Sequence, residues 1–181
     1  MINDQDRSGY IGASDTRFVM GSWKTKTFDN WWRTKQGFPT KHFQNVYTMT
    51  GTAYEHKILD SLGFPLEKDK QIIKGRLRVN LDGNTKDKVI EVKTYILEKG
   101  FTPSKAYRMQ VQVEMYALEV EKALLVAYGL EEEDYRNFYR DIDKNRLSFF
   151  EYEKDEEFLS EYLKRLKILE ECLEKGTFPK E

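Results

Sequence analysis

The sequence predicts an α/β (α+β) fold: one domain over residues 1–181, with a central mixed β-sheet flanked by helices. Three observations carry this. Helix-period and strand-period patterns alternate along the chain, helices first, then strands, helix, strand, strands and a last helix. Residues 123–128 form a short apolar run, as a strand buried on both faces requires. Residues 103–120 read as a helix that is apolar almost all round, which belongs inside a core. A length of 181 residues suffices for one domain with a real core and is short for two.

The elements follow in order. Ser14 and Asp15 read as an N-cap and first-turn acid for a short helix to about Gly21. Thr27 is placed to cap a second helix through Trp31 and Trp32 to about Lys35. A longer helix ends at Gly63, with Val46, Met49, Ala53, Ile58, Leu59 and Leu62 apolar. Strands are expected over 71–74, 77–81 and 88–94. Thr102 caps the buried helix and Pro103 opens it. After the strand at 123–128, a final strand pair is expected over 138–141 and 147–152. The last helix, 156–174, places Phe158, Tyr162, Leu166, Leu169 and Leu173 on one stripe, read as core packing rather than a partner-binding seam. There is no internal repeat and no low-complexity linker.

Composition narrows the chemistry. Hydrophobic residues make up 39% and charged residues 34%, which fits a globular chain with a very polar surface. The single cysteine, Cys172, excludes an intrachain disulfide and a cysteine cluster for zinc or iron–sulfur. His42 and His56 are too few for a histidine-rich metal centre. A bound metal would be held mainly by carboxylates, which favours hard ions such as Mg2+ or Mn2+. Net charge is −1, which does not announce nucleic-acid binding. Basic residues are nonetheless grouped: Lys24, Lys26, Arg33, Lys35 and Lys41 lie among Trp23, Trp31 and Trp32. A nucleic-acid patch and a solvated helix face both fit that group, and core packing is the default for Trp31 and Trp32. With no signal peptide, transmembrane run or lipidation motif in view, the expectation is an intracellular, cytoplasmic protein with no membrane partner.

The chemistry concentrates in Asp82-Gly83 and Glu91-Val92-Lys93. On a strand, Val89, Glu91 and Lys93 share one face and Ile90 and Val92 the other. Glu91 and Lys93 thus project together from an otherwise buried strand, where a charge is expensive unless paired or metal-bound. With Asp82 close by, they can hold a divalent cation beside an ammonium. Two plainer readings stand beside this one. Asp-Gly is a common hairpin turn, and Glu-Val-Lys also fits an exposed edge strand with a same-face ion pair. Glu55 lies on the apolar side of its helix, with Ile58, Leu59 and Leu62 at helical spacing. It either meets a cation there or snorkels to water. Gln112 and Tyr116, four apart, share a face of the buried helix, and Gln110 lies on another. An amide there positions water or phosphate, or bonds to backbone.

In order, these residues resemble the lambda exonuclease and YqaJ-type viral recombinase family of PD-(D/E)XK nucleases. The resemblance covers roughly residues 7–129. It rests on Gly12-Ala13-Ser14-Asp15, Gly51 with Glu55, Asp82-Gly83, Glu91-Val92-Lys93, and the run from Tyr107 to Gln110-Val111-Gln112. The resemblance implies a PD-(D/E)XK restriction-endonuclease-like fold and Mg2+-dependent exonuclease action on linear double-stranded DNA ends, 5′→3′, with Mn2+ able to substitute. It implies metal ligation by Glu55, Asp82, Glu91 and the Val92 carbonyl, water or phosphate activation by Lys93, and positioning by Gln112. It assigns DNA or phosphate contacts to Arg7, Ser14, Gln110 and Tyr116, with the first helix N-terminus assisting. Arg7 stands seven residues before Ser14, at the family's 5′-phosphate arginine. The implied setting is phage-type DNA recombination in a bacterial host cell, with a single-strand annealing protein as partner and a homo-oligomer, a ring trimer in the family. The short segment between Lys93 and Tyr107 departs from the family pattern, which puts the ring in question, and the one cysteine excludes the iron–sulfur branch. Two other readings are an endonuclease acting on branched or flapped DNA and an inactive DNA-binding relative. A helical interaction protein built on the C-terminal stripe leaves the Glu91–Lys93 strand unexplained.

Overall fold

The computed structural model describes residues 7–39 and 45–180. Lys41 and His42 lie outside the described residues. Five strands form one sheet in the order β1 (Glu67–Lys74), β2 (Leu77–Asn84), β3 (Lys88–Ile96), β4 (Lys122–Leu130) and β5 (Leu147–Glu153). β3 and β4 are parallel and the other neighbours antiparallel. The sheet is therefore mixed, as the sequence predicts. A parallel pair needs a long crossover, and here it includes α4 (Lys105–Leu118). β4 is buried along its length from Ala123, which accounts for its unbroken apolar run.

Two cores sandwich the sheet. On one face, α1 (Thr16–Val19), α2 (Lys26–Lys35), α4 and α5 (Glu156–Lys175) contribute Val19, Trp32, Val111 and Tyr162 to a cluster with Val79, Val89 and Ala123. On the other, α3 (Val46–Ser61) packs Tyr54, Ile58 and Leu59 on Ile90, Val92 and Val126. Alternation along β3 sends Val89 to the first core and Ile90 and Val92 to the second. The α5 stripe joins the first core, with Tyr162, Leu166 and Leu169 buried and Phe158 and Leu173 packed against it. Trp31 and Trp32 are both buried. Core packing is therefore their role, and the Trp32 indole donates to the Thr177 carbonyl at 3.0 Å.

Several local expectations are corrected. The caps are Thr25, Asn45 and Ser104, each accepting a backbone N–H with its side chain, where Thr27 and Thr102 were expected for two of them. The first helix opens as a 3-10 turn at Ala13 with Gly12 at its start, and it is the Asp15 carboxylate that accepts from Gly12 N at 2.8 Å. Val46 and Met49 are exposed, so the apolar stripe of α3 begins later than its pattern suggested. No strand forms over 138–141. The carbonyls of Phe138 and Arg140 accept from the Lys57 ammonium, and that of Asn137 accepts from the Tyr54 hydroxyl. Side chains of α3 thus take carbonyls a ladder would have used.

Candidate active site

The centre forms where β2 leaves β3. Their ladder contains only Gly83↔Ile90 and Asn84↔Val89. Beyond it the Asp82 side chain takes over, its Oδ2 accepting from Val92 N at 2.8 Å. Asp82-Gly83 is therefore not a turn; the chain reverses later, where Thr85 N donates to the Lys88 carbonyl. Gly83 permits a close approach, since a Cβ there would lie 2.9 Å from Leu59 of α3. Gly51 does the same one helical turn before Glu55, where a Cβ would lie 3.0 Å from the Thr94 hydroxyl of β3. These two contacts bring α3, and Glu55 with it, onto the split in the sheet.

Glu91 is almost fully buried, and its Oε1 accepts from Lys93 Nζ at 2.5 Å and from Gln110 Nε2 at 2.7 Å. The Lys93 ammonium also lies 5.0 Å from the centre of the Tyr107 ring, within cation–π range. Burial pushes the Asp82 carboxyl well above its usual range, and Glu91 and then Glu55 push it further, against Lys93 and the Val92 N–H. Burial also raises Glu55, with Glu91 the next cause. Burial would lower the Lys93 pKa, but Glu91 and Asp82 outweigh it and the net shift is upward, so the side chain stays an ammonium. The Glu91 charge thus adds to burial at both Asp82 and Glu55, as in a site of concentrated negative potential.

A cleft of about 220 Å³ opens on this group. Asp82, Glu91, Lys93 and Gln110 line it, and so do Arg7 and Ser14. The N-terminal segment reaches the cleft because Ile11 pairs with β2, through Ile11 N to the Arg76 carbonyl and Arg78 N to the Ile11 carbonyl. Asp15 anchors that segment: it accepts from the Trp31 indole at 2.9 Å and pairs with Lys35 at 2.6 Å. At the N-terminus of the first helix, Gly12 N and Asp15 N are bonded within the turn.

Two expected residues lie elsewhere. Gln112 donates to the Glu153 carbonyl at 2.8 Å and accepts from Asp155 N at 2.7 Å, so it ties α4 to the junction between β5 and α5. Tyr116 packs against the first core, with Lys74 over its ring at 5.0 Å. The face of α4 that meets the cleft carries Gln110 and Glu114 instead. Glu114 was missed, although the i, i+4 rule applied to Gln112 and Tyr116 also pairs it with Gln110. Arg78 and Asn80 also line the cleft and were not singled out from the sequence. The basic group divides: Lys35 is buried against Asp15, while Lys24, Lys26 and Arg33 are exposed.

The Glu55, Asp82 and Glu91 side chains carry oxygen donors, the type a hard divalent cation takes, and the Glu91 charge is among the causes that raise Asp82 and Glu55. The metal-binding groups whose ligand atoms lie within 4.8 Å of one another among the described residues are, however, Glu55, His56 and Asp69. His56 Nε2 lies 2.9 Å from Asp69 Oδ2. Asp69 adopts a φ of 56°, a left-handed conformation uncommon for a residue with a side chain. No local pattern marks Asp69, since only the fold brings it beside α3.

No known protein family's sequence profile matches the chain, and no curated protein sequence matches it. Solved structures do. The alkaline exonuclease LHK-Exo from Laribacter hongkongensis superposes with a TM-score of 0.69 at 19% identity, over 93% of this chain and 92% of that one. The LHK-Exo complex with dAMP gives a TM-score of 0.74 at 18% identity, over 94% and 90%. A phage-related exonuclease from Haemophilus somnus 129PT gives 0.64 at 16% identity, over 92% and 94%. The chain therefore has the fold of these exonucleases: an α/β architecture with a five-stranded mixed sheet flanked by helices.

Proposed function

We propose that this chain is a divalent-cation-dependent deoxyribonuclease that degrades linear double-stranded DNA from its ends. The observation that carries the proposal is the placement of Asp82, Glu91 and Lys93, with Glu55 beside them, at the split between β2 and β3 in a fold shared with exonucleases. The complex of LHK-Exo with dAMP, a nucleoside monophosphate, fits a product of stepwise cleavage.

Glu55, Asp82, Glu91 and the Val92 carbonyl would hold Mg2+, with Mn2+ able to replace it. The ion supplies a Lewis acid that polarises the phosphoryl group and acidifies water. Lys93, an ammonium fixed by Glu91, orients the attacking water and offsets charge building on the phosphate. Arg7 and Ser14 line the same cleft, which supports a terminal 5′-phosphate beside the scissile bond and 5′→3′ polarity. Gln110 replaces Gln112 as the amide at the centre. A cytoplasmic, phage-type recombination role follows from this reading, with a single-strand annealing protein taking the exposed strand. Among the described residues no helix is long and apolar enough to cross a membrane.

Linear and closed circular duplexes incubated with Mg2+ or EDTA provide the test. Loss of the linear form alone, only with Mg2+, is the expected result, and faster digestion of 5′-phosphorylated than 5′-hydroxyl ends would support the polarity. Cleavage of the closed circle would move the assignment to an endonuclease. No cleavage of any substrate by folded protein would make it a DNA-binding relative.

A further inference from the structure

Glu114 is fully buried on α4, beside Val113, Met115 and Ala117. Apolar packing does not call for a carboxyl there, and burying one without compensation costs several kcal/mol. Its Oε1 accepts from Gln110 Nε2 at 2.7 Å, while Oε2 is buried with no hydrogen-bond partner. The side chain lines the same cleft as Asp82, Glu91 and Lys93. Burial is the main cause, and Glu91 the next, of a carboxyl pushed well above its usual range.

The hydrogen bonds indicate what the residue does. A glutamine amide nitrogen has two N–H donors. Gln110 directs its nitrogen to Glu91 Oε1 and to Glu114 Oε1, both at 2.7 Å. Glu91 Oε1 also accepts from Lys93. Those two donors occupy Oε1 and leave Oε2 as the Glu91 oxygen available to a cation. The terminal torsion of a glutamine is broad and roughly two-fold, so an amide with one acceptor can turn over. Turned over, Gln110 would present its carbonyl to the Glu91 carboxylate. A second acceptor at Glu114 opposes that turn.

We propose that Glu114 is a positioning residue: through the Gln110 amide it fixes the Glu91 carboxylate with Oε2 toward the cation. Its functional meaning rests on the nuclease reading above; its geometry can be tested apart from it.

Two variants separate the roles. Glu114→Gln keeps the shape and an oxygen acceptor for Gln110, whereas Glu114→Met keeps the bulk and removes the acceptor. The measurements are calorimetric titration with Mn2+, kcat and KM for linear duplex, exchange protection of the Gln110 side-chain amide protons by NMR, and Tm. Glu114→Met is expected to weaken Mn2+ binding by about 10-fold or more, the usual effect of losing a partner behind a ligand. It should lower kcat with KM within about twofold, expose the Gln110 amide to exchange, and leave Tm unchanged or higher. Glu114→Gln is expected to restore Mn2+ binding, kcat and protection. Unchanged Mn2+ affinity and protection in Glu114→Met would overturn the proposal, leaving Glu114 a buried polar residue only. Equal damage in both variants would also overturn it, because the carboxylate itself would then be needed. If the wild type binds Mn2+ but cuts no DNA, the nuclease reading fails while the titration and NMR still decide on Glu114. If it binds no Mn2+, the NMR decides: protection lost in Met and kept in Gln supports the positioning role, and any other pattern refutes it.

Discussion

Asp134 bears on the site from behind α3. It is fully buried and accepts from Arg146 Nη1 at 2.6 Å, Arg140 Nη1 at 2.9 Å and Glu131 N at 2.8 Å, and it lies 3.1 Å from Tyr54 Oη, whose single hydrogen it shares with the Asn137 carbonyl. Tyr54 immediately precedes Glu55, so this anion anchors the helix that delivers a proposed metal ligand. Asp134→Ala would remove the shortest ion pair of the Arg146 guanidinium, which is 7% exposed, leaving the Gly129 carbonyl as hydrogen-bond acceptor and the longer pairs to Glu131 at 3.5 Å and Asp143 at 3.8 Å. Breaking one side of a buried ion pair costs about 3–5 kcal/mol. Arg140 is 29% exposed, so its share is screened and the lower end applies, about 3 kcal/mol. For a chain of this size each kcal/mol moves Tm by about 2–4 °C, giving a fall of about 6–12 °C. Urea unfolding followed by tryptophan fluorescence, with thermal unfolding by circular dichroism, measures both quantities near pH 7. A loss below about 1 kcal/mol would refute the claim that this network anchors α3. The pH dependence has a definite sign. Burial would raise the Asp134 pKa, but the Arg146 hydrogen bond and further partners outweigh it and the net shift is downward. Its contribution is therefore present above the unfolded value of about 4 and lost as pH falls through the folded one.

Other expected outcomes follow from the same contacts. Asp82 and Glu55, raised mainly by burial, carry the opposite sign: their contribution is full below about pH 4 and lost as pH rises through their folded values. Mg2+ should therefore raise Tm more at about pH 8 than at about pH 6, and differential scanning fluorimetry with Mg2+ or EDTA reads this directly; an equal or absent shift would argue against a metal centre. Gln112→Ala should lower stability by about 1–3 kcal/mol, because it leaves Asp155 N and the Glu153 carbonyl without their partner, and should leave kcat within about twofold. A large fall in kcat with unchanged stability would return Gln112 to the active site.

Much of the fold was legible because burial imposes a period. The apolar run of β4, the alternation on β3 and the stripe of α5 each appeared in the sequence as they pack in the structure. The errors lie where side chains compete for the backbone. Lys57 and Tyr54 claim the carbonyls of the 137–140 segment and prevent the expected strand, and caps fall wherever a hydroxyl or amide reaches an N–H. At the site, Glu91 and Lys93 were readable from strand alternation, and Asp82 from its place before them. Periodicity could not say which face of α4 meets the cleft, so Gln112 was favoured over the Gln110 and Glu114 pair. Asp69 and Arg78 reach the centre through tertiary contacts alone and had no local signature.

The measurement that tests the central claim most directly compares the wild type with Lys93→Met for Mn2+ binding and single-turnover hydrolysis of an end-labelled linear duplex. The account predicts that both proteins bind Mn2+ and that the variant cleaves about 100-fold more slowly or worse, as expected when a preorganised charge at the reacting phosphate is removed. Cleavage by Lys93→Met at the wild-type rate, with Mn2+ bound, would contradict the assignment of this centre to phosphodiester hydrolysis.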